Sequence, residues 1–279
     1  MSFRPSRSAL FLPASNPRAI EKARGLAADV VILDLEDAVA PDVKAAAREA
    51  AITAADQGFG TREVVIRVNG LDTEWGAADL AAVRGTTATV LVSKIRNAGD
   101  VETCRNPLGS EVPLWVMIET CEALGRLQDI AEANVQGFVL GVNDLALELG
   151  ARPGLDRAWL APVQASVLAA ARSRGLVALD GVCNDFSDDA RLEAECAAAA
   201  AMGYDGKSLI HPRQIDICNA AFSPDAEAIA WAIRVRDAFA NKDGGVIQVD
   251  GKMVEALHLV QAERILGMVR GQRSMIKVQ

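Results

Sequence analysis

Eight short runs, most of them apolar without polar alternation, recur through the first three quarters of the chain, separated mostly by Ala-rich stretches of helical spacing. They lie at 9–12, 30–33, 64–68, 89–92, 114–118, 138–142, 176–179 and 208–210. Unbroken apolar runs of this length are what parallel strands need when helices cover both faces of their sheet. Helix starts fall in the intervals: Asn16-Pro17 and Pro41-Asp42 place proline near a first helical position, and Ser187-Asp188-Asp189 offers a cap followed by first-turn acids. Eight strands alternating with helices predict a closed (β/α)8, TIM-type barrel over 1–222. An open doubly wound sheet is the alternative, and the lack of a GxGxxG run opening a βα turn weakens its dinucleotide-binding form.

After Pro224 the rhythm changes. A helix is predicted over 225–240, then Asp243-Gly244-Gly245, a short strand at 246–249, Asp250-Gly251 and a further helix from about Met253. A barrel needs none of this. The segment 223–279 is read as a C-terminal helical extension and lid that docks on a neighbouring subunit.

Charge and cysteine usage narrow the function classes. The 29 Lys and Arg against 37 Asp and Glu give a net charge of −8, which argues against nucleic acid and anionic membranes as partners. No run approaches the ~18 apolar residues of a membrane span, and the apolar stretch near the start is too short for a signal-peptide core. Five cysteines without a CxxC pair point to reduced thiols and a cytoplasmic location. With two histidines in the chain, a metal would be held by oxygen ligands.

Active sites of such barrels lie at the C-terminal ends of the strands. Those ends read Asp34-Leu35-Glu36-Asp37, Arg67-Val68-Asn69, Ser93-Lys94, Glu119-Thr120, Asn143-Asp144, Asp180-Gly181 and His211-Pro212. Acids at four strand ends, with Arg67 and Lys94, predict a charged pocket for a divalent cation and an anionic substrate. Glu119 and Asp144 end successive strands, and two carboxylates that close repel unless protonated or bridged by a cation. Mg²⁺ suits them, since it takes one or two protein carboxylates and completes its shell with water and substrate oxygens. The alternative pairs Glu119 with Lys94 and leaves Asp144 as a helix cap. Arg67 can grip a carboxylate with two parallel hydrogen bonds, or pair internally with Glu36 or Asp37. Alternation puts Asp34 and Glu36 on one face and Asp37 on the other, with some of these acids bonding backbone amides or Lys44. His211, before Pro212, reads as a backbone-bonded histidine, and Arg18 and Lys22 as solvated charges unless a phosphate binds there.

Taken in order, Arg7-Ser-Ala-Leu-Phe-Leu-Pro13, Leu33-Asp-Leu-Glu-Asp-Ala-Val39, Ile66-Arg-Val-Asn69, Ile118-Glu119, Asn143-Asp144, Asp185-Phe-Ser-Asp188, Gly206-Lys-Ser-Leu-Ile-His-Pro212 and Gly251-Lys-Met-Val254 resemble the citrate lyase beta subunit and malyl-CoA lyase family. The resemblance implies a TIM-type barrel, Mg²⁺ dependence and a homotrimer or hexamer. It implies Mg²⁺ on Glu119 and Asp144, with Asp144 also facing substrate, and Glu36 supporting the metal's water shell. Arg67 would hold the acid half of the substrate, Phe11 and Lys22 would face the CoA arm, and the His211-Pro212 turn would line the site. Glu255 stands where the family's tail carries the aspartate proposed as acid/base, which reaches a neighbouring subunit's site. Asn16 and Ala14 stand where CoA-binding members often carry arginine and glycine. The expected reaction is Mg²⁺-dependent carbon–carbon cleavage or condensation of a 3-hydroxyacyl-CoA such as malyl-CoA or citramalyl-CoA. A thioesterase, a non-CoA 2-keto acid aldolase and a non-catalytic CoA-ester-binding or assembly subunit are the alternatives.

Overall fold

In the computed structural model, which describes residues 5–152, 157–240 and 246–276 with side chains to 269, the eight runs close on themselves as a parallel barrel. The strands are β1 (Ser8–Pro13), β2 (Val30–Asp34), β3 (Glu63–Val68), β4 (Thr89–Val92), β5 (Leu114–Ile118), β6 (Gly137–Leu140), β7 (Val177–Asp180) and β8 (Gly206–Leu209). Closure is made by β8 pairing with β1, Leu209 opposite Leu10. The (β/α)8 expectation holds.

Strand periodicity decides what enters the lumen. Ala9, Ile32, Val65, Leu91, Met117, Val139 and Leu179 fill it as one buried cluster. Two residues further along each strand, the same face carries Phe11, Asp34, Arg67, Ser93, Glu119, Gly141 and Gly181. One layer up from an apolar plug, the chain therefore presents charge on β2, β3 and β5 and almost no side chain on β6 and β7. Neighbours of the opposite parity face the helices. Asp180 and Lys207 are among them, opposite one another in the β7–β8 register.

Three boundaries differ from expectation by two residues or more. β6 stops at Leu140, because helix Val142–Glu148 begins almost at once. β8 starts at Gly206 rather than at residue 208. A Cβ at Gly206 would run into the backbone of Ser6 and Arg7, and Lys207 is wholly buried by ion pairing. Neither residue type signals a strand. The helix expected from about Met253 is preceded by a strand, β10 (Lys252–Glu255), which pairs antiparallel with β9 (Val246–Val249). The turn between them uses positive φ at Asp250 and Gly251. The Asp243-Gly244-Gly245 segment lies outside the described residues.

The chain divides into two compact units, 6–220 and from Ala221 on. The second has its own apolar core: Ala232 and Val235 of helix Ala226–Ala240, Ile247, Val249 and Val254 of the hairpin, and Ala262 and Leu266 of helix Ala256–Ile276. Among the described residues no helix is long and apolar enough to cross a membrane.

Candidate active site

Asp34, the last residue of β2, is opposite Arg67 in the β2–β3 register. Arg67 donates from Nε to Asp34 Oδ1 at 2.7 Å and from Nη2 to Oδ2 at 2.6 Å. The same carboxylate accepts the Glu36 and Ala38 amides at 2.9 and 3.1 Å. Those two bonds turn the chain, so strand alternation ends at Asp34. Glu36 and Asp37 then both face Arg67, with Nη1 at 2.9 Å from Glu36 Oε2 and 3.6 Å from Asp37 Oδ2. The expected separation of Glu36 and Asp37 onto opposite faces is corrected. The Phe11 ring lies beneath the guanidinium, 4.9 Å from ring centroid to Cζ.

Lys44 bonds carbonyls rather than acids. Its buried ammonium donates to Leu35 O at 2.8 Å, Glu36 O at 2.9 Å and Asn69 Oδ1 at 2.7 Å, pinning the backbone that carries Glu36. Burial pushes the Glu36 carboxyl above its ordinary range, against the pull of Arg67.

Glu119 follows β5 directly and is fully buried. Its Oε1 accepts the Lys94 backbone N–H at 2.7 Å, while Oε2 is buried with no hydrogen-bond partner. Burial raises its carboxyl to about 7, although Lys94 pulls the other way. The Lys94 ammonium lies 2.6 Å from Asp144 Oδ1 and 3.8 Å from Glu119 Oε1. The ion pair read as the alternative for Glu119 is therefore present, and one ammonium serves both acids. Burial alone would lower the Lys94 ammonium, but Glu119, Asp144 and Glu36 more than offset this and hold it charged. Asp144 sits in the first turn of helix Val142–Glu148, a favourable place for an anion.

An unpartnered carboxylate oxygen, a second carboxylate bound to the same ammonium and Glu36 nearby form an oxygen-rich, cation-seeking set. Among the described residues no group of three or more His, Cys, Asp or Glu could hold a metal alone. Two carboxylates, one with an unpartnered oxygen, match Mg²⁺, which relies on water and substrate for its remaining positions.

His211 caps the turn Pro212–Gln214. Its Nδ1 accepts the Arg213 N–H at 3.2 Å, which places the proton of a neutral imidazole on Nε2. Its ring stacks on Phe186 with centroids 4.8 Å apart. Lys22 is exposed in the last turn of helix Pro17–Ala23, and among the described residues no hydrogen bond or ion pair joins it to the acids. Asn16 caps that helix, its Oδ1 accepting the Ala19 N–H at 3.1 Å. Glu255 ends β10 in the second unit, where its N–H donates to His258 Nδ1 at 3.0 Å.

A network not anticipated from the sequence lies behind the barrel wall. Lys207 Nζ is 2.7 Å from Asp180 and 3.0 Å from Glu195. Arg157 bonds the same two acids, and Gln164 donates to Asp180 at 2.8 Å. Arg191 also reaches Glu195, at 3.2 Å, so three cations surround two anions there, and Lys207 also donates to Gly181 O at 2.5 Å. The network thus props Gly181, where a Cβ would strike Val142 and the Leu140 carbonyl. The available signal was the register of β7 and β8, which a run-by-run reading does not supply.

The sequence matches the HpcH/HpaI aldolase/citrate lyase family over residues 7–212. The chain belongs to that family. A CitE of this family from Mycobacterium tuberculosis, solved in complex with magnesium, acetoacetate and coenzyme A, superposes with a TM-score of 0.79 at 35% identity, covering 94% of this chain and 97% of the other. A (3S)-malyl-CoA thioesterase of Cereibacter sphaeroides is 47% identical over 268 residues, 94% of each chain. An L-malyl-CoA/beta-methylmalyl-CoA lyase of the same organism is 32% identical, also over 94% of each chain. Membership of the HpcH/HpaI aldolase/citrate lyase family makes the chain an enzyme of that group. It does not make it a lyase. The expected carbon–carbon lyase is overturned by these identities, since the full-length thioesterases stand well nearer than the lyases.

Proposed function

We propose that the protein is a thioesterase for a 3-hydroxyacyl-CoA of the malyl-CoA class, with Mg²⁺ held by Glu119 and Asp144. The observation that carries this reading is the difference of about 15 percentage points in identity between the thioesterase and lyase relatives at equal coverage. The magnesium complexes of CitE relatives and the unpartnered Glu119 Oε2 support the metal.

When bound, Mg²⁺ supplies Lewis acidity to a substrate oxygen. Water adds to the thioester carbonyl, the C–S bond breaks, and CoA leaves as the thiol while the acid is released. In this reading Arg67 Nη1, which pairs with Glu36 rather than with Asp34, faces the negative charge that develops on the carbonyl oxygen. Glu36, fixed by Lys44 through its backbone, orients the attacking water. Phe11 supports Arg67 from below, and the His211 Nε2–H is a donor for the acyl half. Lys22 remains the candidate contact for the CoA arm, and Glu255 the candidate acid–base carboxylate. Buried free cysteines at 104, 183, 196 and 218 support a reducing, cytoplasmic setting.

The test is product analysis with (3S)-malyl-CoA and Mg²⁺. Malate and free CoA thiol are expected in equal amounts, with turnover abolished by chelation and restored by Mg²⁺. Glyoxylate with acetyl-CoA in place of malate, or full turnover in excess chelator, overturns the reading.

A further inference from the structure

Lys94 addresses the Glu119–Asp144 pair twice. Its backbone stands at φ 56°, a left-handed conformation unfavourable for a residue with a Cβ, and from there its N–H reaches Glu119 Oε1. Its side chain extends past the same carboxylate to Asp144. Among the described residues, the ion pairs of Glu119 and Asp144 are made with Lys94, while two of the three guanidinium nitrogens of Arg67 are given to Asp34. The main chain is thus anchored, but the ammonium is on a flexible four-carbon stem and its side chain is 33% exposed.

A divalent cation on these two carboxylates needs the oxygens that the ammonium holds. Like charges at contact distance repel strongly in a partly buried site, so the ammonium and the metal cannot share Asp144. Only the side chain has to move, and once released it is a free cation at the barrel mouth. An anionic substrate carboxylate is its natural next partner.

We propose that Lys94 is a displaceable counter-cation. It holds Glu119 and Asp144 together in the metal-free protein, leaves Asp144 when the metal binds, and then pairs with the free carboxylate of the substrate. The proposal rests on the reading that Glu119 and Asp144 are the metal ligands. It couples the two ligands: metal binding frees the group that receives the substrate carboxylate, so each strengthens binding of the other.

Calorimetric titration of Mg²⁺ into the metal-free full-length protein tests this, using wild type, Lys94→Met and, should that variant fold poorly, Lys94→Gln. Removing the competitor is expected to tighten Mg²⁺ binding at least tenfold, about 1.4 kcal/mol. Malate, the acid half of the proposed substrate, should tighten Mg²⁺ binding in wild type and have little effect in the variant. Unchanged or weaker Mg²⁺ binding in the variants, with wild type binding normally, overturns the role of Lys94 and leaves the metal reading in place. No Mg²⁺ binding by wild type or variants overturns both.

Discussion

Arg67 and Asp34 are held together by strand register: the ladder places them side by side, and the guanidinium gives two parallel hydrogen bonds to that one carboxylate. Asp34 in turn fixes the Glu36 and Ala38 amides, so Arg67 indirectly sets the loop that carries Glu36. Lysine keeps the charge but offers no planar fork. Arg67→Lys is expected to lower turnover at least 100-fold and to cost about 2 kcal/mol of stability for the lost charged hydrogen bond. Paired turnover and urea-unfolding measurements check this, and a variant at wild-type activity would remove Arg67 from the chemistry.

Glu119 separates stability from function. Its carboxylate is fully buried with one oxygen unpartnered, a placement that costs folding energy. The neutral amide of Glu119→Gln can still accept the Lys94 N–H. The metal-free variant is therefore expected to melt no lower than wild type while Mg²⁺ affinity falls roughly 100-fold, about 2.7 kcal/mol. Thermal melts with and without Mg²⁺ read both effects. A marked loss of metal-free stability would mean that the ionised Glu119–Lys94 pair supports the fold.

These two sites show what the sequence could and could not disclose. The barrel was legible because seven of eight strands are unbroken apolar runs, and period two then carries acids and Arg67 into one layer. Position along the chain also identified Glu119 and Asp144 as candidates. It could not say that Lys94 would lie against both, because that depends on a left-handed backbone angle at a lysine. Nor could it reveal Lys207 as a core residue. A lysine reads as exposed until Asp180 and Glu195, from a neighbouring strand and a helix, are known to surround it.

Gly141 leaves room for Glu119. A Cβ there would stand 2.7 Å from Glu119 Oε2 and 3.2 Å from Met117 Cε, and closer still to Glu119 Cβ. Gly141→Ala must push the carboxylate aside or shift β6. Mg²⁺ affinity is expected to fall by an order of magnitude or more, with a stability loss of about 1–3 kcal/mol from overpacking. Calorimetry and urea unfolding measure the two, and an unaltered metal affinity would argue against Glu119 as a ligand.

Glu255 tests the acid–base assignment separately from metal binding. It closes the β9–β10 hairpin just before helix Ala256–Ile276, and its backbone is held by His258. Glu255→Gln preserves shape and removes the titrating group. Turnover is expected to drop on the order of 100-fold, within the range of general acid–base catalysis, with Mg²⁺ affinity and melting temperature unchanged. Normal turnover would move the proton transfer to another group.

The network behind the wall sets the acid limit of the fold. Burial alone would raise the Asp180 carboxyl, but Lys207 and Arg157 outweigh it and hold the group below its ordinary value; Glu195 is lowered in the same way. A carboxylate depressed in the folded state binds fewer protons there than when unfolded, so stability rises with pH across the window between its two values. The contribution is complete above the unfolded values, near pH 4–4.5, and is lost as pH falls through the folded ones. Urea unfolding from pH 6 down to 3 should show stability falling steeply below about pH 4. Glu195→Gln should be less stable at pH 6 and show a shallower fall, since it has one fewer proton to gain. An equally steep fall in that variant would place the acid sensitivity in other carboxylates.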